Sequence, residues 1–190
     1  MAEQRFSRVR RAQDWPDRGA TRSRLRTLAS AGAAATILAV AASVFVPPRP
    51  RLLWNASASS PVGLYRIGPP KGVTRGDMVV AWAPKAAREL AAARRYLPRD
   101  VPLIKPVAAL AGDRVCARGT RIFLNGRIVA LRHARDRAGR RMLWWTGCRR
   151  LGRGDLFLLS AGVPGAFDGR YFGITHAGEL IGKARLLWRG

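Results

Sequence analysis

The chain has 190 residues, room for one ordinary domain with appendages, and carries a formal charge of +24 from 35 Lys and Arg against 11 Asp and Glu. Arginine supplies nearly all of the excess, since only Lys71, Lys85, Lys105 and Lys183 are lysines, and it is scattered through strands and turns alike. With no helix-turn-helix cue, no zinc-finger spacing and no aromatic-rich RNA-binding signature, this charge describes a solvated basic surface, and nucleic acid is not expected as a partner.

Residues 1–27 are polar, hold eight arginines from Arg5 to Arg26 and lack apolar periodicity, which predicts a mostly disordered basic cytoplasmic tail. Residues 28–46 are uncharged and apolar. As a helix rising about 1.5 Å per residue they nearly cross a hydrocarbon core of about 30 Å, and Pro47, Pro48 and Pro50 end the run. The arginines ahead of this transmembrane anchor place the N-terminus in the cytoplasm and residues 51–190 outside a bacterial inner membrane, in the periplasm. A cleaved signal peptide ending near Ala41-Ala42-Ser43 and a buried soluble helix are the rival readings of the same segment.

From Arg51 onward, short apolar runs are broken by Gly and Pro. They predict strands at 63–67, 77–82, 103–109, 113–117, 121–124, 127–130, 142–145, 155–159, 171–174 and 180–187, the spacing of a mainly β, coiled or barrel-like domain. Asn125-Gly126 is a strong hairpin turn, because both central residues of a type I′ turn need positive φ. Residues 85–96, between Pro84 and Pro98, have the composition of the one helix expected in this part of the chain. Residues 133–141 are charged and predict an exposed loop. Cys116 and Cys148 are the only cysteines, and an oxidising compartment makes a disulfide their expected state, stabilising the domain by about 3–4 kcal/mol. Two free buried cysteines are the alternative. These two cysteines and the distant His133 and His176 are too few for a metal site, and no cofactor is expected.

Two features carry chemistry. Asn55-Ala56-Ser57-Ala58-Ser59-Ser60-Pro61-Val62-Gly63-Leu64-Tyr65 frames serines with small and turn-forming residues just past the apolar segment. Leu103-Ile104-Lys105-Pro106-Val107 places a lone lysine in an apolar strand of a chain that otherwise prefers arginine. A serine hydroxyl needs a base, and a desolvated lysine can be one, since burial penalises its charged form; arginine cannot. A lysine facing solvent from its strand is the competing reading. A Ser-His-Asp arrangement drawing on Asp168 and His176 competes as well.

Taken in order, Ser-x-Pro-x-Gly-x-Tyr at 59–65, Lys105 followed by Gly112-Asp113-Arg114-Val115, Ile122–Gly126, and Phe167-Asp168-Gly169-Arg170-Tyr171-Phe172-Gly173 resemble the type I signal peptidases. The resemblance is closest to their conjugative-transfer, TraF-like branch, and covers the apolar segment and nearly all of 51–190. It implies a signal-peptidase-like coiled β-sheet or barrel with one short helix, behind a single N-terminal transmembrane helix. It further implies Ser59 as nucleophile, Lys105 as general base, the Ser59 N–H and the Ser57 hydroxyl as oxyanion hole, Asp168 and Arg170 as a supporting ion pair, and Gly112-Asp113 as a structural turn.

Two positions depart from the family pattern. Ala166 stands where a serine usually holds the catalytic lysine, so orientation falls to another group such as Ser160 or a backbone carbonyl. Pro106 follows the lysine and lacks an N–H, which predicts a strand edge there. The expected activity is that of a membrane-anchored serine endopeptidase, contacting lipid headgroups through Leu52, Leu53 and Trp54 unless Trp54 packs in the core. It would cleave leaders from exported proteins, foremost a pilin precursor of a conjugation or type IV secretion apparatus, with pilin cyclisation as a variant. A non-enzymatic anchored basic protein of such a machine, or a general signal peptidase, are the alternative functions.

Overall fold

The computed structural model describes residues 18–45 and 51–190, with side chains from 28 to 42 and from 51 onward. The chain divides after Arg49 into two units. In the first, α1 (Arg18–Phe45) is a 28-residue helix whose residues 28–42 are exposed. Helix therefore begins at Arg18, inside the stretch expected to be disordered, because the Arg, Ala and Leu of 18–27 favour it; residues 1–17 lie outside the described residues. Among the described residues no helix is long and apolar enough to cross a membrane. The spanning assignment of 28–46 and the topology built on it are thus not supplied by the structure. The run is rich in alanine, which forms helix readily but adds little hydropathy, and Val46 falls outside the described residues.

The second unit is mainly β. One antiparallel sheet contains β1 (Leu52–Asn55), β2 (Gly63–Ile67), β3 (Met78–Ala81), β4 (Leu103–Ala109), β9 (Phe157–Leu158) and β10 (Leu180–Arg189), in the order β1-β2-β10-β3-β4-β9. The other has β7 (Arg127–Leu131), β6 (Arg121–Leu124), β5 (Arg114–Arg118) and β8 (Gly147–Arg150), in that order. Ala109 and Phe157 from the first sheet pack with Val115, Ala117, Ile122 and Ala130 from the second, so one core joins both. Helix α2 (Lys85–Ala93) buries Ala87 and Ala91. Asn125 and Gly126 both have positive φ, 49° and 85°, and turn β6 into β7. Cys116 and Cys148 stand opposite each other on β5 and β8 and form a disulfide.

Four segments differ from expectation. Residues 142–145 form no strand: the Arg132 guanidinium lies 3.7 Å from the Trp144 ring centroid and donates to the Trp145 carbonyl at 2.7 Å, so a side chain takes an acceptor that a ladder needs. Residues 171–174 are not a strand either. Asp168 caps a single turn, α3 (Gly169–Phe172), by accepting from Arg170 N at 3.1 Å. Strands β1 and β8 are not among the expected strands: each is only four residues long, β1 just after a proline cluster and β8 exposed throughout, with two arginines. Finally, Pro106 is not on an edge strand, since β4 lies between β3 and β9. Val107 N donates to Asp77 O on the β3 side, so by strand alternation the missing N–H at 106 faces the other way. There β9 pairs only with Val107 and Ala109.

Candidate active site

Ser59 sits in the loop between β1 and β2, and that loop is held mostly by its own sequence. Asn55 ends β1 opposite Gly63. Its side-chain amide donates to the carbonyls of Ser57 (3.0 Å), Ser60 (3.2 Å) and Pro61 (2.9 Å), and its oxygen accepts from Ser57 N (3.1 Å). Asparagine suits this work because one short side chain carries two donors and an acceptor. The Ser60 hydroxyl donates to Ile104 O on β4 at 2.8 Å, and Tyr65 OH to Pro61 O at 2.8 Å. Gly63 has φ +149°, and a Cβ there would lie 2.1 Å from Trp188 O, so only glycine lets β10 approach. The serine-proline-glycine-tyrosine spacing is thereby accounted for by packing, with Ser59 left half-buried at the tip.

Lys105 belongs to β4, opposite Val79 of β3, and is 3% exposed. Its Nζ donates to Ser59 Oγ, joining residues 46 apart in the chain. Burial drives the amine down from 10.5 to about 8; Asp168 pushes it up and Arg170 down by smaller amounts. Ser57 Oγ is 2.8 Å from Ser59 Oγ and accepts a long 3.4 Å contact from Ser59 N. The two groups expected to form an oxyanion hole are therefore adjacent and turned toward each other.

Asp168 and Arg170 are 0% and 1% exposed and form a two-point ion pair, Nε to Oδ1 at 2.8 Å and Nη2 to Oδ2 at 3.1 Å. They clamp one residue between them: Ser160 N donates to Asp168 at 2.9 Å, and its carbonyl accepts from Arg170 at 2.8 Å. Ser160 lies two residues past the end of β9, and Leu159 N between them donates to Pro106 O at 3.1 Å, so the pair fixes the backbone alongside the lysine. Among the described residues the Ser160 hydroxyl has no partner, and it does not hold Lys105. Ala166 is buried and lines the same cavity as the amine. His176 pairs with Asp155 (2.7 Å), and Asp168 is engaged by Arg170, so no Ser-His-Asp group forms from them. Asp113 accepts from Leu110 N, Asn125 and Arg75, securing the turn at 112–113.

Cavities of about 630 and 460 Å³ meet at Ser59. The larger runs between the end of β1 and the start of β4, with Val163 to Phe167 as its far wall. The smaller is lined by Ser60, Val62, Pro106 and 160–163. An extended polypeptide laid across both would present one peptide bond to the serine. Asn55, which organises the Ser59 loop, belongs to no recognised motif, although an Asn before a run of small turn formers is a loop-organising signal. Trp54 does not pack in the core: it is exposed, and its ring lies 5.6 Å from that of exposed Trp188.

Residues 24–189 match the family model described as signal peptidase, peptidase S26. The chain belongs to this family, which makes it a peptidase of the signal-peptidase type, acting on protein. It is 34% identical over 143 residues to a probable conjugal transfer protein TraF of Sinorhizobium fredii (strain NBRC 101917 / NGR234), a match spanning 69% of this chain and 73% of that one. Among solved structures it is similar to a signal peptidase I from Enterococcus faecalis V583, with a TM-score of 0.35 and 17% identity over 60% of this chain and 97% of the other.

Proposed function

We propose that this protein is a membrane-associated serine endopeptidase in which Ser59 and Lys105 form a catalytic dyad. The observation that carries the reading is the hydrogen bond between Ser59 Oγ and a buried lysine amine whose proton affinity burial has lowered to about 8. With the amine neutral, the same contact runs in reverse: Ser59 donates its proton to Nζ while Oγ attacks the carbonyl carbon. The resulting oxyanion is stabilised by Ser59 N–H and by the Ser57 hydroxyl, which turns from its present partner; such a donor contributes about 3 kcal/mol to the transition state. Protonated Lys105 then passes its proton to the leaving amine, and an acyl-enzyme ester remains on Ser59. Water, deprotonated by the same lysine, hydrolyses the ester. An amine in place of water would give transpeptidation, and within one substrate chain a cyclic product.

The substrate class follows from the relatives. Signal peptidases imply a leader of an exported protein, and the similarity to a probable conjugal transfer protein supports a pilin precursor of a conjugation or type IV secretion machine. A disulfide between Cys116 and Cys148 agrees with an oxidising periplasmic location. Association with lipid is supported by Leu52, Trp54, Leu187 and Trp188, exposed on β1 and β10 beside the larger cavity, since tryptophan is enriched at headgroup level. The test is cleavage of candidate precursors by membrane preparations. Ser59→Ala and Lys105→Ala are expected to abolish it, and Lys105→Arg equally, since guanidinium does not deprotonate. An active Lys105→Arg enzyme would overturn the general-base assignment.

A further inference from the structure

A third cavity, of about 650 Å³, adjoins the larger of the two at Ser59 and shares four residues with it: Tyr96, Pro164, Gly165 and Phe167. The rings of Tyr96 and Phe167 meet edge-on at 5.8 Å, so an aromatic sill stands between the two. Beyond the sill the lining turns cationic, with Arg135, Arg137 and Arg140 all exposed. Positive charge is common on this chain, but here it is built in. Asp136 is the one carboxylate in the lining, and both of its oxygens are taken: Oδ1 accepts from Ala138 N and Arg140 N, Oδ2 from Tyr96 OH, Arg94 Nη1 and Arg140 Nε. Arg94 also donates to Arg141 O at 2.6 Å, and Arg135 to Gly139 O at 2.6 Å. The 133–141 segment is thus a loop tied to the end of α2, presenting three guanidiniums around a carboxylate that has no capacity left for a ligand.

We propose that this cavity is a secondary substrate site that binds an acidic stretch of the protein being cleaved, on one side only of the scissile bond. The inference rests on the peptidase reading above. A polypeptide lying in the larger Ser59 cavity can continue across the Tyr96–Phe167 sill, where it meets Arg135 and Arg137, which have no carboxylate partner among the described residues. Carboxylates are the groups a polypeptide offers to guanidinium, and apolar side chains fit the sill. Arg137 has no side-chain partner among the described residues, which leaves its whole head for the ligand.

The experiment uses full-length enzyme in detergent and three fluorogenic peptides sharing one cleavage site: neutral throughout, with an Asp-Glu block upstream of the scissile bond, or with the block downstream. One acidic peptide, and only one, is expected to show a KM about tenfold below the neutral one, from two or three exposed ion pairs of modest strength. Arg135→Gln with Arg137→Gln should return that KM to the neutral value, leave kcat and the neutral peptide unchanged, and match the effect of about 0.5 M salt. Equal gains for both acidic peptides would show general attraction to a basic protein, and no gain would show no site; either overturns the proposal. Binding of the favoured peptide to Ser59→Ala, read by anisotropy, separates the two ideas. Failure to cleave any peptide while the acidic one binds and the Gln pair releases it would sink the dyad and spare the site. Displacement by anionic lipid vesicles but not by soluble acidic peptide would assign these arginines to the membrane and overturn the proposal.

Discussion

Lys105→Met exchanges the buried amine for an uncharged side chain of similar length, and its effect on stability has a calculable sign. In the unfolded chain the lysine holds its proton up to about pH 10.5; in the folded protein only up to about 8. Between those values the unfolded state binds more protons, so wild-type stability rises with pH across that window. Below pH 8 the wild type carries the full handicap of that lowering, about 3 kcal/mol. Loss of the hydrogen bond to Ser59 offsets about 1 kcal/mol of the gain. The Met variant is therefore expected to be about 2 kcal/mol more stable at pH 7, a rise in melting temperature of about 4–8 °C for a domain of this size. Thermal melts of both proteins at intervals from pH 6.5 to 10.5 give the comparison, and the advantage should shrink through the upper half of that range. In parallel, wild-type kcat/KM should climb tenfold per pH unit toward a midpoint near 8. A Met variant less stable than wild type at pH 7, or an advantage indifferent to pH, would refute the desolvated-amine argument. A rate midpoint above 10 would do the same.

Asp168→Asn leaves Arg170 buried without its counter-charge and is expected to cost about 3–5 kcal/mol in a denaturant titration. Because Asp168 is the group that raises the lysine, the rate midpoint should also move below 8; an unmoved midpoint would contradict the coupling. Asn55→Ala removes the contacts that shape the Ser59 loop, and should lower stability by about 1–3 kcal/mol and kcat at least tenfold; unchanged kcat would show that the loop is held by Ser60 and Tyr65 alone. Ala166→Ser should leave kcat/KM equal or higher, and a strong loss would mean that the lysine is not placed as in the rest of the family. Trp54→Ala with Trp188→Ala should weaken flotation with anionic vesicles about tenfold or more while sparing cleavage of a soluble peptide; equal flotation would remove these rings from the membrane surface.

The residues of the proposed dyad are more legible in the sequence than the ones that position them. Lys105 stood out because a chain rich in arginine kept a lysine inside Leu-Ile-Lys-Pro-Val, and the serine segment stood out by its turn formers. The hairpin at Asn125-Gly126 was legible because positive φ at two successive residues admits few sequences. Other features depend on contacts distant in the chain. Residues 142–145 look like a strand until Arg132 claims the Trp145 carbonyl, and 171–174 until Asp168 caps the turn that takes in 171 and 172. The part played by Ser160 is likewise carried by its backbone, through a clamp from residues eight and ten positions away, and no side-chain pattern announces it.

That clamp bears on how the enzyme manages without a serine at 166. The Asp168–Arg170 pair acts on Lys105 with opposing signs, so burial is left as the dominant influence on its proton. The pair's structural contribution is to lock Ser160, and through Leu159 the neighbouring backbone, beside β4. Among the described residues Ser59 is then the only polar partner of the amine. In the proposed dyad the lysine is aimed by the rigidity of the strand that carries it, and Ser59 completes its hydrogen bonding. A lysine held in this way is sensitive to anything that shifts β4 relative to the 55–61 loop, and the Ser60–Ile104 hydrogen bond is the direct tie between them.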